Sequence, residues 1–380
     1  MKAIQVPMSG PDITDAEIEL INQVLRTPYL SIGPMLKRFE QDMACFVGTK
    51  YAAGVSSGTA GLHLCVRAAG IGEGDEVITT PFSFVASANC MLYERATPVF
   101  VDIEPGSLNI DPQRIEDAIT PRTRAILPVH AFGQPADMDP ILQVARRHNL
   151  WVIEDACEAI GAEYKGRQAG TLGDAAVFAF YPNKQMTTGE GGIIVTDRAD
   201  WDALYRSLRN QGRDVFDAWL DHSRLGYNYR LDELSAALGV AQLARLEELL
   251  AKRERVAQMY NERLSTVDGL DIPYISATTT RMSWFVYVIR LGPGIERTAV
   301  MAGLEERGIP SRPYFTPIHL QPFYRKLFGY REGDFPITER LGQSALALPF
   351  YGNLDEEKVE YVCQNLREVI AHGIMRGSAP

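Results

Sequence analysis

Residues 150–196 read LWVIEDACEAIGAEYKGRQAGTLGDAAVFAFYPNKQMTTGEGGIIVT, and three short apolar runs within them, Leu150–Ile153, Ala175–Phe180 and Gly192–Thr196, decide the fold. Each run is apolar on both faces and bounded by Gly, Asp or Pro. That is the pattern of strands buried inside a parallel sheet rather than half-exposed on an antiparallel one. Working outward, the same kind of run recurs at Glu76–Ile78, Thr97–Val101 and Arg124–Val129, with helix-like stretches between most of them. The alternation predicts an α/β fold with helices on each side of the sheet.

The flanks add boundaries. Thr14 with Glu17 three residues on makes a capping box, and Ile18, Ile21 and Leu25 follow at helical spacing, so a first helix is expected there. From Leu246 to Leu264 the pattern becomes one long helix whose polar face carries LAKRERVAQMYNER. A strand at Ser283–Leu291, a helix at Glu296–Arg307 ended by Gly308 and Pro310, and an amphipathic helix at Glu356–His372 complete the chain. The expected division is a large domain, 1–247, and a smaller α+β domain, 248–380.

Composition removes several classes of function. The 380 residues are 46% hydrophobic and 23% charged, an ordinary globular make-up with enough chain for two to three domains of about 150 residues. With 38 Lys plus Arg against 48 Asp plus Glu the net charge is −10, which disfavours a phosphate backbone as partner. No apolar run approaches the roughly 18–20 residues that span a bilayer, and the first residues lack the apolar core of a secretory signal, so a cytoplasmic protein is expected. Cys45, Cys65, Cys90, Cys157 and Cys363 are odd in number and scattered, which reads as reduced thiols and no metal site.

Ligands in open α/β sheets bind at the carboxyl ends of strands, so polar residues just after apolar runs are the candidates. SSGTAGLHL, Ser56–Leu64, is a small-residue turn running into a helix, where backbone N–H groups and the helix dipole favour an anion; a Thr-capped tight turn is the plainer alternative. In LWVIEDACEA, Leu150–Ala159, the strand ends in two acids, and Asp155 either holds a protonated ring nitrogen or caps a following helix. Lys184 lies between an aromatic strand and a glycine-rich return, where an amine can be desolvated and made nucleophilic toward a carbonyl. Anion cradle, carboxylate and lysine together are the parts that hold pyridoxal phosphate.

These residues carry a resemblance. The sequence resembles the DegT/DnrJ/EryC1/StrS family of pyridoxal-phosphate-dependent nucleotide-sugar aminotransferases over nearly its whole length. The matching segments are GDEVITTPFSFVASAN (Gly74–Asn89), ILPVHAFGQPADMDPI (Ile126–Ile141), VIEDACEAIGA (Val152–Ala162), NKQMTTGEGG (Asn183–Gly192), GYNYRLDELSAALG (Gly226–Gly239) and RPYFTPIHLQPFY (Arg312–Tyr324). The resemblance implies an aspartate-aminotransferase-like fold, pyridoxal-phosphate fold type I. Its large domain has a mostly parallel seven-stranded sheet, beside a smaller α+β C-terminal domain, in a homodimer with shared active sites.

Residue by residue, Lys184 matches the Schiff-base lysine that also serves as general acid and base, and Asp155 the acid on the pyridinium nitrogen. Phe84 matches the aromatic stacked on the ring, with core packing as its alternative, and Gly58, Thr59 and Ala60 match the phosphate-binding turn. Asn228 matches the residue that reaches the phosphate from the neighbouring subunit. Arg230 matches a cation for the donor carboxylate or the nucleotide, and Tyr314 and His319 lie in the segment lining the sugar pocket. The implied reaction moves an amino group from an amino acid, L-glutamate, which leaves as 2-oxoglutarate, through pyridoxamine phosphate, to a nucleotide-linked 3- or 4-keto-6-deoxy sugar.

Two departures stand out. Ala179 occupies a place where the family commonly has a Ser bonded to the cofactor phosphate, a loss of about 1 kcal/mol per neutral hydrogen bond. Glu158 stands where Gln or His is commoner, close to the cofactor's phenolate oxygen, so it must be protonated or turned away. Variable loops such as Val215–Arg224 are expected to set specificity. Competing readings are a sugar dehydratase, disfavoured because Lys184 is present, and a keto-cyclitol aminotransferase. A third is a helix-turn-helix regulator built on Leu231–Leu250 with its turn at Leu238–Val240, disfavoured by the sparse basic residues there.

Overall fold

The computed structural model describes residues 5–214 and 221–377. Its main sheet is built from β1 (Tyr51–Val55), β2 (Glu76–Thr79), β3 (Thr97–Phe100), β4 (Thr123–Ile126) and β5 (Trp151–Asp155). After a short hairpin of β6 (Glu163–Tyr164) and β7 (Arg167–Gln168), the sheet is completed by β8 (Ala175–Ala179) and β9 (Gly192–Thr196). The seven strands lie in the order β1-β9-β8-β5-β4-β2-β3. Only β9 runs against the rest, pairing antiparallel with both β1 and β8. All six expected runs are strands; β1, interrupted by Gly54 and two alanines, carries too weak an apolar signal to read from sequence.

Because β1, β2, β5 and β8 share one direction, their carboxyl ends open on the same edge of the sheet. The strand interiors are buried on both faces: Val152, Ile153, Ala176, Val177, Ile193 and Ile194 are no more than 2% exposed. The edge at β1 is closed by side chains instead of another strand. Glu40 accepts from Gly54 N–H at 2.9 Å, and Arg206 and Arg209 donate to the Ala52 and Gly54 carbonyls at 2.8 and 2.5 Å, which takes up edge groups that another chain could otherwise pair with.

Helix starts are tied down over long sequence distances. The capping box at Thr14 forms, opening the helix Asp15–Leu25. The helix Pro34–Val47 has no side-chain cap of its own; the buried carboxylate of Glu233 accepts from the N–H groups of Gly33, Met35 and Leu36 at 2.8–2.9 Å. This satisfies three orphan donors and places negative charge at the helix's positive end.

The C-terminal part holds β10 (Leu270–Asp271), β11 (Thr279–Arg281), β12 (Tyr287–Leu291), β13 (Arg312–Pro313) and β14 (Ala345–Leu348). β11 joins the small hairpin, and the others form a four-stranded antiparallel sheet in the order β10-β12-β14-β13. The helix Leu246–Leu264 links the two cores: Leu246, Leu249 and Leu250 pack under the main sheet, and Val256, Ala257, Tyr260 and Leu264 join the second core. The expected division after Glu247 thus falls at the start of a packed helix rather than in a linker. The helix-turn-helix alternative fails here, because Leu238–Val240 lies inside the continuous helix Glu233–Ala244 and the chain turns only at Arg245. Among the described residues no helix is long and apolar enough to cross a membrane.

Candidate active site

A cavity of about 450 Å³ lies at the carboxyl ends of β1, β2, β5 and β8, roofed by Phe285, Tyr314 and Phe315 from the C-terminal part. Gly58, Thr59, Phe84, Asp155, Glu158, Ala179, Lys184 and Tyr314 all line it, drawn together from across some 260 residues of sequence because their strands share a direction.

Asp155 ends β5 and is 5% exposed. Its Oδ2 accepts from Ser87 Oγ at 2.7 Å, Ser87 in turn lies 2.7 Å from Ser83 Oγ, and Oδ1 accepts from Cys157 N–H at 3.2 Å. No helix begins after Asp155, so the helix-cap alternative has nothing to cap. Strand alternation separates the two acids of the Glu-Asp pair. Glu154 turns to the other face, where Nε2 of the fully buried His130 and the N–H groups of Gly170, Leu172 and Gly173 meet its carboxylate at 2.6–2.9 Å. Burial works to raise its pKa, and these partners outweigh burial and hold it below the usual carboxylate range.

Lys184 follows a turn in which its N–H donates to Tyr181 O at 2.9 Å. The ammonium lies 3.9 Å from the centre of the Phe285 ring and 3.7 Å from Glu158 Oε1. Its backbone is held from behind: the buried guanidinium of Arg253 donates to the carbonyls of Asn183, Lys184, Trp284 and Phe285 at 2.7–3.3 Å. Glu158 is 7% exposed, and its Oε2 accepts from Phe132 N–H at 2.8 Å. Burial pushes its carboxyl above the ordinary range, against the pull of Lys184. Tyr314, packed edge-on to Phe132, has its hydroxyl pushed up to about 12 by burial.

The helix Gly58–Ala68 begins at the cavity wall with Ser57 as its N-cap. Ser57 Oγ accepts from Ala60 N–H at 3.1 Å, so Ala60 is spent on the cap and does not line the cavity, whereas Gly58 and Thr59 do. A Cβ on Gly58 would come within 2.8 Å of both Ala179 Cβ and Cys157 Sγ; the missing side chain is what lets the helix end approach β8. Phe84 stands 63% exposed at the cavity mouth, which sets aside core packing as its role.

Besides Ala60, three expected residues lie outside the lining. Asn228 is exposed and hydrogen-bonded through no side-chain atom to a described residue. Arg230 donates to Asn210 Oδ1 at 3.2 Å. His319 is fully buried behind the wall, its Nε2 3.0 Å from Glu339 Oε1, and burial pushes its ring below the ordinary value. Of the expected specificity loop Val215–Arg224, residues 215–220 lie outside the described residues. Ser87, Ser83, Asn183, Phe285 and Arg253 are site residues that sequence reasoning missed. Ser87 and Ser83 sit inside the quoted Gly74–Asn89 segment, whereas nothing local marks Phe285 or Arg253.

Residues 11–367 match the model of the DegT/DnrJ/EryC1/StrS aminotransferase family. The chain belongs to that family. It is similar to the GDP-perosamine synthase of Caulobacter vibrioides, 42% identical over 370 residues that cover 96% of this chain and 98% of that one. It is also 39% identical to the spore coat polysaccharide biosynthesis protein SpsC of Bacillus subtilis, over 96% and 97% of the two chains. Among solved structures, S. venezuelae DesV in complex with a ketimine intermediate superposes with a TM-score of 0.88 at 36% identity over 93% of both chains. The PLP-form of a sugar aminotransferase from Streptococcus pneumoniae gives 0.93 at 26% identity, over 97% of this chain and all of that one. This chain is therefore a pyridoxal-phosphate-dependent sugar aminotransferase of fold type I.

The residues present in this aminotransferase fit its cofactor. Asp155 is an acid of the lining held by a hydroxyl and an amide, a helix start opens beside a glycine-made gap, and the Lys184 amine borders the same cavity. Asn183 Oδ1 is a buried oxygen of the lining with no hydrogen-bond partner among the described residues. Ala179 does line the cavity, so no hydroxyl is offered from that position.

Proposed function

We propose that the enzyme transfers an amino group from L-glutamate to the ketone of a nucleotide-linked 3- or 4-keto-6-deoxyhexose, as a cytoplasmic homodimer with shared active sites. The observation that carries this reading is the convergence of Lys184, Asp155 and the start of the helix Gly58–Ala68 in one cavity. The similarity to GDP-perosamine synthases supports the nucleotide-linked acceptor.

Gly58 and Thr59 would receive the cofactor phosphate at the helix start, Asp155 its ring nitrogen, and Phe84 its ring face. When bound, pyridoxal phosphate supplies an electron sink for the pair left at the donor's α-carbon. The chain does the rest. Asp155, fixed in place by Ser87 and the Cys157 amide, would take the N–H of the ring. Lys184 Nζ, on its short tether beside Phe285, takes the α-proton in the first half-reaction and returns a proton in the second. Burial shifts Glu158 toward its neutral form against the pull of Lys184, which weakens the repulsion a second carboxylate would bring to the cavity. Tyr314 faces the sugar, and His319 supports the wall segment from behind.

Asn228 would reach the neighbouring subunit's cofactor phosphate, and Arg230 the donor carboxylate or the nucleotide. Exposed Tyr29, Leu30, Ile32 and Leu225 support a subunit interface here, since Leu30 and Ser31 pair with Glu233 and Asp232 beside the 226–230 segment. The division of the chain at 247/248 is part of the same proposal. The test is the visible spectrum of the protein supplied with pyridoxal phosphate, before and after glutamate. A cofactor band that is lost on adding glutamate and restored by one keto-sugar nucleotide is expected. A bound cofactor indifferent to glutamate would refute the donor, and recovery with a keto-cyclitol but no nucleotide sugar would refute the acceptor.

A further inference from the structure

Outside the cavity a second polar cluster is buried between the helix Gly58–Ala68, the turn after the helix Ala86–Leu92 and the segment Tyr227–Tyr229. His63 is 2% exposed and the Glu94 side chain 9%. Glu94 Oε1 lies 2.8 Å from His63 Nε2 and accepts from Tyr227 Oη at 2.8 Å, while Oε2 accepts from Arg67 at 2.7 Å. His63 Nδ1 lies 3.2 Å from Tyr229 Oη. One assignment satisfies every group: an anionic Glu94, a neutral His63 donating through Nε2, and Tyr229 donating to Nδ1. Burial, which outweighs the Glu94 contact and pushes His63 below its ordinary value, agrees with it. The Tyr227 and Tyr229 rings stack 5.0 Å apart at 10°, and His63 meets both edge-on at 4.7 and 5.8 Å.

The tyrosines belong to an extended segment fixed on both sides. Tyr227 and Tyr229 N–H donate to the Leu208 and Arg209 carbonyls at 2.6 and 3.0 Å, Ser56 N–H donates to Tyr229 O at 2.9 Å, and Arg230 pairs with Val55. In extended chain successive side chains alternate. The face opposite Tyr227 and Tyr229 therefore carries Asn228 and Arg230, as the Arg230–Asn210 bond and the Asn210–Asn228 pairing require. We propose that His63 and Glu94 are positioning residues: by gripping Tyr227 and Tyr229 they fix the outward pose of Asn228 and Arg230, and so act on the cofactor phosphate of the neighbouring site. The helix that offers Gly58 and Thr59 to its own cavity thereby also orients what its subunit presents to the other. This rests on the reading of Asn228 given above.

A double-mutant cycle on the whole enzyme tests it, with the dissociation constant of pyridoxal phosphate as the readout and the melting temperature alongside. Glu94→Gln keeps the side-chain size and removes the charge that three donors share. It is expected to weaken cofactor binding about five- to tenfold, and Asn228→Ala by a similar factor, each on the scale of one net hydrogen bond. In the Asn228→Ala background Glu94→Gln should cost nothing further, because its effect passes through Asn228. Tyr227→Phe, which deletes one hydroxyl, should repeat the pattern more weakly and serves where Glu94→Gln does not fold. Full additivity of the two losses would overturn the positioning role while leaving the reading of Asn228 intact. If Asn228→Ala leaves cofactor affinity unchanged, the Asn228 reading falls and the proposal falls with it.

Discussion

Replacing Arg253 by Met should loosen the catalytic lysine from behind. Arg253 is 3% exposed, faces no carboxylate within bonding distance among the described residues, and donates to four carbonyls, two on the Asn183–Lys184 turn and two on Trp284–Phe285. Burial pushes its guanidinium down to about 10, still far above neutral pH, so it remains a cation compensated by carbonyl dipoles. Met fills the volume of the stem, loses the guanidinium that lies 5.6 Å from the Phe350 ring centre, and leaves those carbonyls without that donor. Hydrogen bonds to a charged donor contribute about 1.5–3 kcal/mol each, and removing the buried cation returns several kcal/mol of desolvation, so a net loss of about 2–4 kcal/mol is expected. For 380 residues the unfolding entropy is about 0.8 kcal/mol/K, which converts that loss to a fall of about 3–5 °C in melting temperature. The assay is thermal unfolding of the cofactor-free enzyme, paired with the rate at which glutamate bleaches the cofactor band. Because Arg253 fixes the backbone on both sides of the Lys184–Phe285 contact, that rate should fall about tenfold or more. Arg253→Lys should recover little of either, since one ammonium has three donors and no fork. A melting temperature within about 1 °C of the parent, with an unchanged bleaching rate, would refute the reasoning.

The other predictions address the cavity directly. Lys184→Ala should abolish turnover, and appreciable steady-state transamination by that variant would overturn its assignment. Ser87→Ala removes the hydroxyl on Asp155 Oδ2 and should weaken pyridoxal phosphate by about five- to tenfold in a fluorescence titration, with unchanged affinity counting against a role for that contact. Ala179→Ser restores a hydroxyl beside Gly58 and should tighten the cofactor by up to about fivefold; no gain would mean that the phosphate lies elsewhere. Glu158 binds its proton more tightly folded than unfolded, so its contribution to stability is present below the ordinary value of 4.5 and is lost as pH rises through the raised value. Glu158→Gln should therefore flatten the stability profile of the cofactor-free enzyme above pH 4.5, and an identical slope in both proteins would contradict the shift.

Much of the site was legible because its parts are local. Asp155 and Lys184 follow strands whose apolar runs are unmistakable, and Gly58–Thr59 opens a helix, so a rule about strand ends suffices to single them out. Residues that act from a distance left no such mark. Arg253 lies within a charged helical run where an arginine normally reads as solvated, and only the packing of that helix against Lys184 and Phe285 buries it. Glu233 caps a helix 200 residues away, which no local pattern encodes. His319 illustrates the converse, because a histidine in a segment associated with the sugar pocket points away from the cavity to Glu339.

By itself the sequence determined the α/β class, the six apolar strand runs, the family, and the lysine and acid of the site, because period, capping chemistry and ordered motifs are properties of neighbouring residues. Only the tertiary structure decided which acid of the Glu154–Asp155 pair faces the cavity, that the helix-turn-helix alternative fails, and that Tyr227 and Tyr229 are gripped by His63 and Glu94. Those outcomes depend on strand direction and on which surfaces meet, and burial then sets the charge and the partner that each side chain takes.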